Sequence, residues 1–386
     1  MICPKKRSIR CPKCGSLETK RYGKRFLESI KKFVLRIACS QCLFVGPLRP
    51  LGNIREQEDS CLQITKESLE RASLRILGRR YGKSKNTILK IIHRVTSHLP
   101  DSLVIQQKFR PLWSGVLVID GKVIRVYDKL STKLKHSSLS EDELRWMNKM
   151  RWLCSIDHGT GDLPHYALAG SESRIDLVMY FQTLKQMNYP LIAVVCDGSP
   201  EIPHAAKFVF GERIVIQRCT RHFLEDLRKL LPTKEDDSKG RDQLERLIVR
   251  IKYIIEADDM ESMIKQFDAL KRDRDTYRSR IAKQMIKSFL DIKENLCAHL
   301  LHPELHLPHT SNDIENLFRQ LNLRLRSLGR FFHQLYARDY LNAWALLRRF
   351  TKFTDCRKGR RHRNGKAPLV LAGCEIKNID PLKLKS

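Results

Sequence analysis

No stretch of the 386-residue chain approaches the roughly 20 consecutive apolar residues that a membrane-spanning helix needs. The basic opening "CPKKRSIR" leads into no apolar core, so it does not read as a secretory signal peptide. A membrane surface is the competing partner, but no basic amphipathic segment offers an anchor, so no membrane partner is expected. A glycine-rich phosphate loop, a His-Glu-x-x-His zinc-protease motif and internal repeats are also missing. Acidic residues are scarce: 43 Asp+Glu stand against 73 Lys+Arg, a formal charge of +30. Such an imbalance favours a polyanionic partner, because neutralising phosphates releases their condensed counterions. Nucleic acid is the expected partner.

The length allows two or three domains and a sizeable core, and 42% hydrophobic residues suits a globular chain. Basic residues run from the N-terminus to "RKGRRHRNGK" near the end. Twelve cysteines would suggest a disulfide scaffold only in a short secreted chain. Here the expectation is a reducing cytoplasmic compartment, nucleoid-associated, with one metal site. "CPKCGS" and "CSQC" each supply a Cys-x-x-Cys knuckle that aims two sulfurs at one metal. Cys11, Cys14, Cys39 and Cys42 therefore predict a structural Zn2+ ribbon over residues 1–50, with Cys3 left outside it.

Residues 51–110 predict a helix-turn-helix. "TKESLERASLRIL" carries apolar residues at helical spacing, with Thr65, Glu67 and Ser68 in capping territory and an end at Gly78. A short helix, a turn at Gly82 and a second helix from near Ser84 follow. Lys83, Lys85, Asn86 and Lys90 would decorate the exposed face of that second helix, suited to phosphates and base edges. The same pattern also fits a helical hairpin that touches no DNA.

From 111 onward the pattern is α/β. "GVLVIDGKVIRVYD" reads as strand, Asp120-Gly121 hairpin turn, strand. A strand pair over 151–170 and a helix over "SRIDLVMYFQTLKQM" follow, and then "PLIAVVCDG", a buried strand that stops on Asp197. "IPHAAKFVF", "RIVIQRC" and "TRHFLEDLRKLL" read as helix, strand and helix, which together describe a mixed sheet. Residues 232–300 read as a charged helical insertion, and 351–386 as a basic, loosely ordered tail. Asp120 and Asp197 can reach one sheet edge if their strands are neighbours. Adjacent carboxylates repel, and Mg2+ (or Mn2+), as two ions, is the natural partner. Glu315 offers a third carboxylate on a helix where Asn312 and Arg319 share its face and Asp313 lies off it. Glu315 reads equally well as a solvated helix charge.

"DGSPEIPHAAKFVFGERIVIQRCTRHFLEDL" resembles the core of mutator-type DDE transposases of bacterial insertion sequences. "TSNDIENLFRQLNLRLRSLGRFF" resembles that family's segment around its catalytic glutamate, and "SGVLVIDGKVIRV" its first catalytic strand. "LGRFF" departs from the family, in which glycine and phenylalanine stand together. The resemblance covers about residues 110–350 and implies a ribonuclease-H-like mixed sheet core, catalytic over 111–350, with the helical insertion. It implies that Asp120, Asp197 and Glu315 bind two divalent ions, and that Cys219 and His222 act beside them. Those two residues fit equally a strand-end cysteine and a first-turn histidine. The implied activity is DNA strand cleavage and transfer on double-stranded DNA, at terminal inverted repeats and a target, by a homodimer or larger assembly. A DNA-binding regulator with an inactive core and a nuclease without strand transfer remain open alternatives.

Overall fold

A computed structural model of the chain describes residues 11, 16–27, 32–47, 54–126, 149–233, 238–328, 331, 333–357 and 359–385. Contacts divide the chain into units of 1–60 and 61–386, and the division falls inside the first helix. In the first unit, β1 (Thr19–Leu27), β2 (Lys32–Cys39) and β3 (Val45–Pro47) form an antiparallel sheet in that order. The link from β2 to β3 is tight: the Cys39 amide donates to the Phe44 carbonyl at 2.8 Å, so Cys39 and Cys42 share one knuckle.

After the sheet come α1 (Ile54–Glu70), whose residues from Cys61 belong to the second unit, α2 (Leu74–Arg80) and α3 (Lys85–Thr96). The helix expected from Thr65 to Gly78 is thus two helices, broken at residues 71–73. Thr65 is no cap; it is buried inside α1, and its hydroxyl donates to the Cys61 carbonyl at 2.8 Å. The cap is Ser73, whose hydroxyl accepts from the Ile76 amide. Apolar spacing continues across the break, so periodicity alone hides it. Gly82, at φ +59°, makes the turn, and α3 starts where expected, capped by the Ser84 hydroxyl.

After α4 (Ser102–Phe109) comes a five-stranded sheet: β4 (Val116–Arg125), β5 (Lys149–Asp157), β6 (Tyr166–Ala169), β7 (Ala193–Cys196) and β8 (Val215–Arg218). The order is β6-β5-β4-β7-β8, with β5 antiparallel to both β4 and β6, and with β4, β7 and β8 parallel. The predicted hairpin at Asp120-Gly121 does not form. β4 runs straight through both residues, paired in unbroken register with β5 from Leu117–Asp157 to Arg125–Lys149. Flanking strands override the local turn preference of Asp-Gly.

Alternation along the strands supplies two cores. Leu117, Ile119, Val194 and Cys196 pack with α5 (Arg174–Gln186) and α6 (Glu201–Phe210). Val116, Val118, Trp152 and Val195, on the opposite face, share a core with α11 (Asn312–Leu328) and α12 (Gln334–Phe350) through Ile314, Phe318 and Trp344. In chain order, α7 (Thr220–Lys229), α8 (Ser238–Ile255), α9 (Met260–Asp273) and α10 (Arg280–Leu296) come between β8 and α11. These build their own core around Phe223, Leu247, Ile251 and Phe289.

The C-terminal residues are not loose. Leu369, Ala372, Cys374 and Leu382 are buried in the α12 core, so scattered apolar anchors outweigh the basic composition that suggested a solvated tail. Arg349, fully buried, donates from Nε and Nη2 to Asp162 at 2.8 Å each and ties α12 to the β5–β6 turn. Breaking such a buried pair costs about 3–5 kcal/mol.

Candidate active site

Asp120 lies in β4, and Asp197 is the first residue past β7. The parallel register pairs Val118 with Val195, so Asp120 and Asp197 hold equivalent positions two steps further along. Period-two alternation puts both on the face that carries Val118, Val195 and α11. Strands only about 4.8 Å apart force the carboxylates together. Burial pushes the Asp120 carboxyl up, Asp197 pushes it further, and it reaches about 7 despite the Gly121 amide that donates to it at 2.7 Å. The Asp197 carboxylate folds back to accept from the Ser199 amide at 2.9 Å.

A third acid stands here that sequence reasoning misses. Glu172, in the loop between β6 and α5, lies against Gly121; a Cβ at that glycine would run into its carboxylate. Its charge adds to the rise at Asp120, while burial, with a contribution from Asp197, lifts Glu172 itself against the pull of Arg151. Arg151 Nε stands 3.6 Å from Glu172 Oε2. The available signal was the glycine: at mid-strand, Gly marks a close approach from another part of the chain.

Glu315, in the first turn of α11, belongs to a neighbouring cluster. Its Oε1 accepts from the Ser311 hydroxyl at 2.9 Å, pairs with Arg221 and stands 3.8 Å from His222 Nε2. Ligand atoms of Cys219, His222 and Glu315 lie within 4.8 Å of one another. Among the described residues, no such group includes Asp120 or Asp197. His222 links the two clusters, since its charge also reaches Asp120 and lowers it. Burial raises the Cys219 thiol, but hydrogen bonds with His222 and Ser311 outweigh it and bring the group to about 7. Bonding to Cys219 outweighs burial at His222 and, with the charge of Glu315, lifts it to about 9. The pair therefore favours thiolate and imidazolium. Asp313 faces away, to Arg360 and His158.

Lys122, two residues along β4 from Asp120, lies over the Phe318 ring at 5.8 Å. Asn312 and Arg319 are exposed on α11. Lys83, Lys85, Asn86 and Lys90 are exposed around the start of α3, beside an open depression of about 660 Å3 that Arg75 and Arg79 also line. In the first unit, Cys11, Cys39 and Cys42 form a group that can hold a metal ion such as zinc, with the Cys11 and Cys42 sulfurs 3.6 Å apart. Cys14 lies outside the described residues, as does Gly329 of the departing "LGRFF" segment.

No protein-family model matches the chain, and no curated protein does. Among solved structures it is similar to the Drosophila P element transposase strand transfer complex, with a TM-score of 0.44 and 10% identity, covering 77% of this chain and 92% of that chain. So distant a likeness fixes neither fold nor activity for this chain. Among the described residues, no helix is long and apolar enough to cross a membrane.

Proposed function

We propose that this chain is a DDE-type DNA transposase. In this reading residues 111–350 are a ribonuclease-H-like catalytic domain, residues 1–50 a zinc ribbon and residues 51–110 a helix-turn-helix that holds terminal inverted repeats. One observation carries the reading: two aspartates at matched positions on neighbouring parallel strands, on the face that α11 covers. The strand order β6-β5-β4-β7-β8, three antiparallel strands followed by two parallel ones, supports the fold assignment.

The donor set suits a hard divalent cation. A carboxyl raised to about 7 by burial and by a second carboxylate is one that a cation would return to its ionised form. Asp120 and Asp197 would hold Mg2+ or Mn2+, with Glu315 as the third ligand once released from Arg221. Two such ions supply the Lewis acidity that activates an attacking oxygen and stabilises a leaving one. Ser311 orients Glu315, and His222, protonated beside Cys219, offers positive charge between the acids and an incoming phosphate. Lys85, Asn86 and Lys90 contact the repeat, Lys83 its backbone, and Asn312 and Arg319 the strand near the site.

The test is incubation of full-length protein with DNA carrying the repeats that flank its own gene, in Mg2+ or Mn2+. A metal-dependent cut at the repeat end, followed by joining of the freed 3′-hydroxyl to target DNA, is expected. Cutting without joining reduces the protein to a nuclease, and repeat binding without cutting to a regulator.

A further inference from the structure

Three arginines surround one small cavity on the flank of α11. It measures about 140 Å3, and Asp313, Arg348, Phe353, Cys356, Arg360 and Arg363 are among the residues that line it. Asp313 is the single carboxylate in this lining, and it is already engaged by Arg360 and, at 3.4 Å, by His158. Among the described residues, neither Arg348 nor Arg363 forms an ion pair with a carboxylate. Arg363 is only 7% exposed; its Nη2 donates to the His158 and Gly159 carbonyls, but its Nε is buried with no hydrogen-bond partner. Arg348 lies over the Phe353 ring at 4.8 Å.

Guanidinium groups that lack a direct carboxylate partner are costly in a half-enclosed space unless an anion joins them. Their planar donor forks match the oxygens of a tetrahedral oxyanion. The cavity is several times the roughly 30 Å3 that one water occupies, so such an anion fits with some water. Burial acts on both side chains in the same sense, opposing their positive charge; at Arg363 the neighbouring Arg360 adds to it, and the charges of Asp313 and Asp157 offset it only in part.

We propose that this cavity is a binding site for a phosphate group, held by Arg348, Arg360 and Arg363. Asp313 lies two residues before Glu315 in the first turn of α11 but faces away from it, so the cavity and the candidate active site use different faces of one helix. Assigning the phosphate to a DNA strand rests on the proposed function, whereas the phosphate site itself does not.

Cys356 provides a local readout, being half-buried in the lining. Full-length protein is alkylated with N-ethylmaleimide at fixed ionic strength, with chloride exchanged for inorganic phosphate, and modification of Cys356 is followed by peptide mass mapping. Phosphate should slow the reaction. Arg348→Gln should raise the phosphate concentration for half-protection about tenfold, the size expected for losing one charged hydrogen bond. Arg357→Gln, which removes the same charge from an exposed position outside the lining, should leave it unchanged. If Arg348→Gln does not fold, Arg348→Lys carries the comparison, with a smaller shift in the same direction. A Cys356 rate indifferent to phosphate, or equal half-protection in wild type and the Arg348 variant, overturns the site. Duplex DNA that protects Cys356 over its own binding range identifies the phosphate as a strand's. Protection by inorganic phosphate or a mononucleotide alone makes it a soluble anion's and leaves the cleavage reading untouched.

Discussion

Asp120 and Asp197 stand side by side at the same level of two parallel strands, and the backbone register alone puts them there. A one-residue slip of β7 would turn Asp197 into the opposite core, among Val194 and Cys196. The pair is therefore a property of the sheet, and its electrostatic strain can be measured without knowing the substrate.

The first prediction concerns that strain. In chelator-treated protein, Asp120→Asn should raise thermal stability above wild type at about pH 8 and leave it unchanged at about pH 3. The sign follows from a folded-state pKa of about 7 against an ordinary carboxyl value of 3.8: stability is full below the unfolded value and is lost as pH rises through the folded one. The gain at high pH should be on the order of a few kcal/mol. Mg2+ should then stabilise wild type and not the variant. A calorimetric pH series that shows parallel curves contradicts this.

A second comparison decides which acid completes the pair. Glu315→Gln should lower cleavage by roughly 100-fold or more, as loss of a group that acts on transition-state charge does. Glu172→Gln should cost roughly 10- to 100-fold, the range of an outer partner. Gly121→Ala should mimic Glu172→Gln, because its Cβ displaces that carboxylate. If Glu172→Gln is inert while Gly121→Ala is inactive, the glycine serves the strand and not the acid.

Third, one zinc per chain is expected, with sulfur ligands near 2.3 Å by X-ray absorption. Cys39→Ser should lose the metal and unfold residues 1–60, since small metal-stapled sheets owe much of their folding energy to the ion. Retention of stoichiometric zinc by that variant rules out the assignment.

Asp313 gives the fourth. Burial raises its carboxyl, but hydrogen bonds from His158 and Arg360 outweigh that and hold it at about 2. A depressed carboxyl stabilises above its unfolded pKa and loses that contribution as pH falls toward 2. Asp313→Asn should cost about 2 kcal/mol near neutrality and flatten the acid-side loss of stability below about pH 4. Urea titrations at several pH values measure both effects.

Much of this architecture could be read from residue order, because the strands around Asp197 are short β-branched runs and the helices between them keep apolar spacing. What escaped has physical causes. Asp120-Gly121 carries a local turn signal that two flanking strands override. The break between α1 and α2 rests on a single serine cap within continuous apolar spacing. Glu172 sits in a serine-flanked loop with no pattern of its own, and only the return of the chain past β4 brings it beside Asp120. The C-terminal anchors Leu369 and Leu382 are sparse among lysines and arginines, so charge dominated their local reading.

The central claim is that Asp120 and Asp197 form a metal-dependent phosphodiester-cutting centre, and single-turnover cleavage of end-labelled repeat DNA tests it most directly. Wild type, Asp197→Ala and Asp226→Ala are compared in Mg2+, the last as a carboxylate control that pairs with Lys229 and Arg218 on α7 and β8. The account predicts cutting by wild type and the Asp226 variant, and none by Asp197→Ala at undiminished DNA binding. Cutting by Asp197→Ala at the wild-type rate would contradict it.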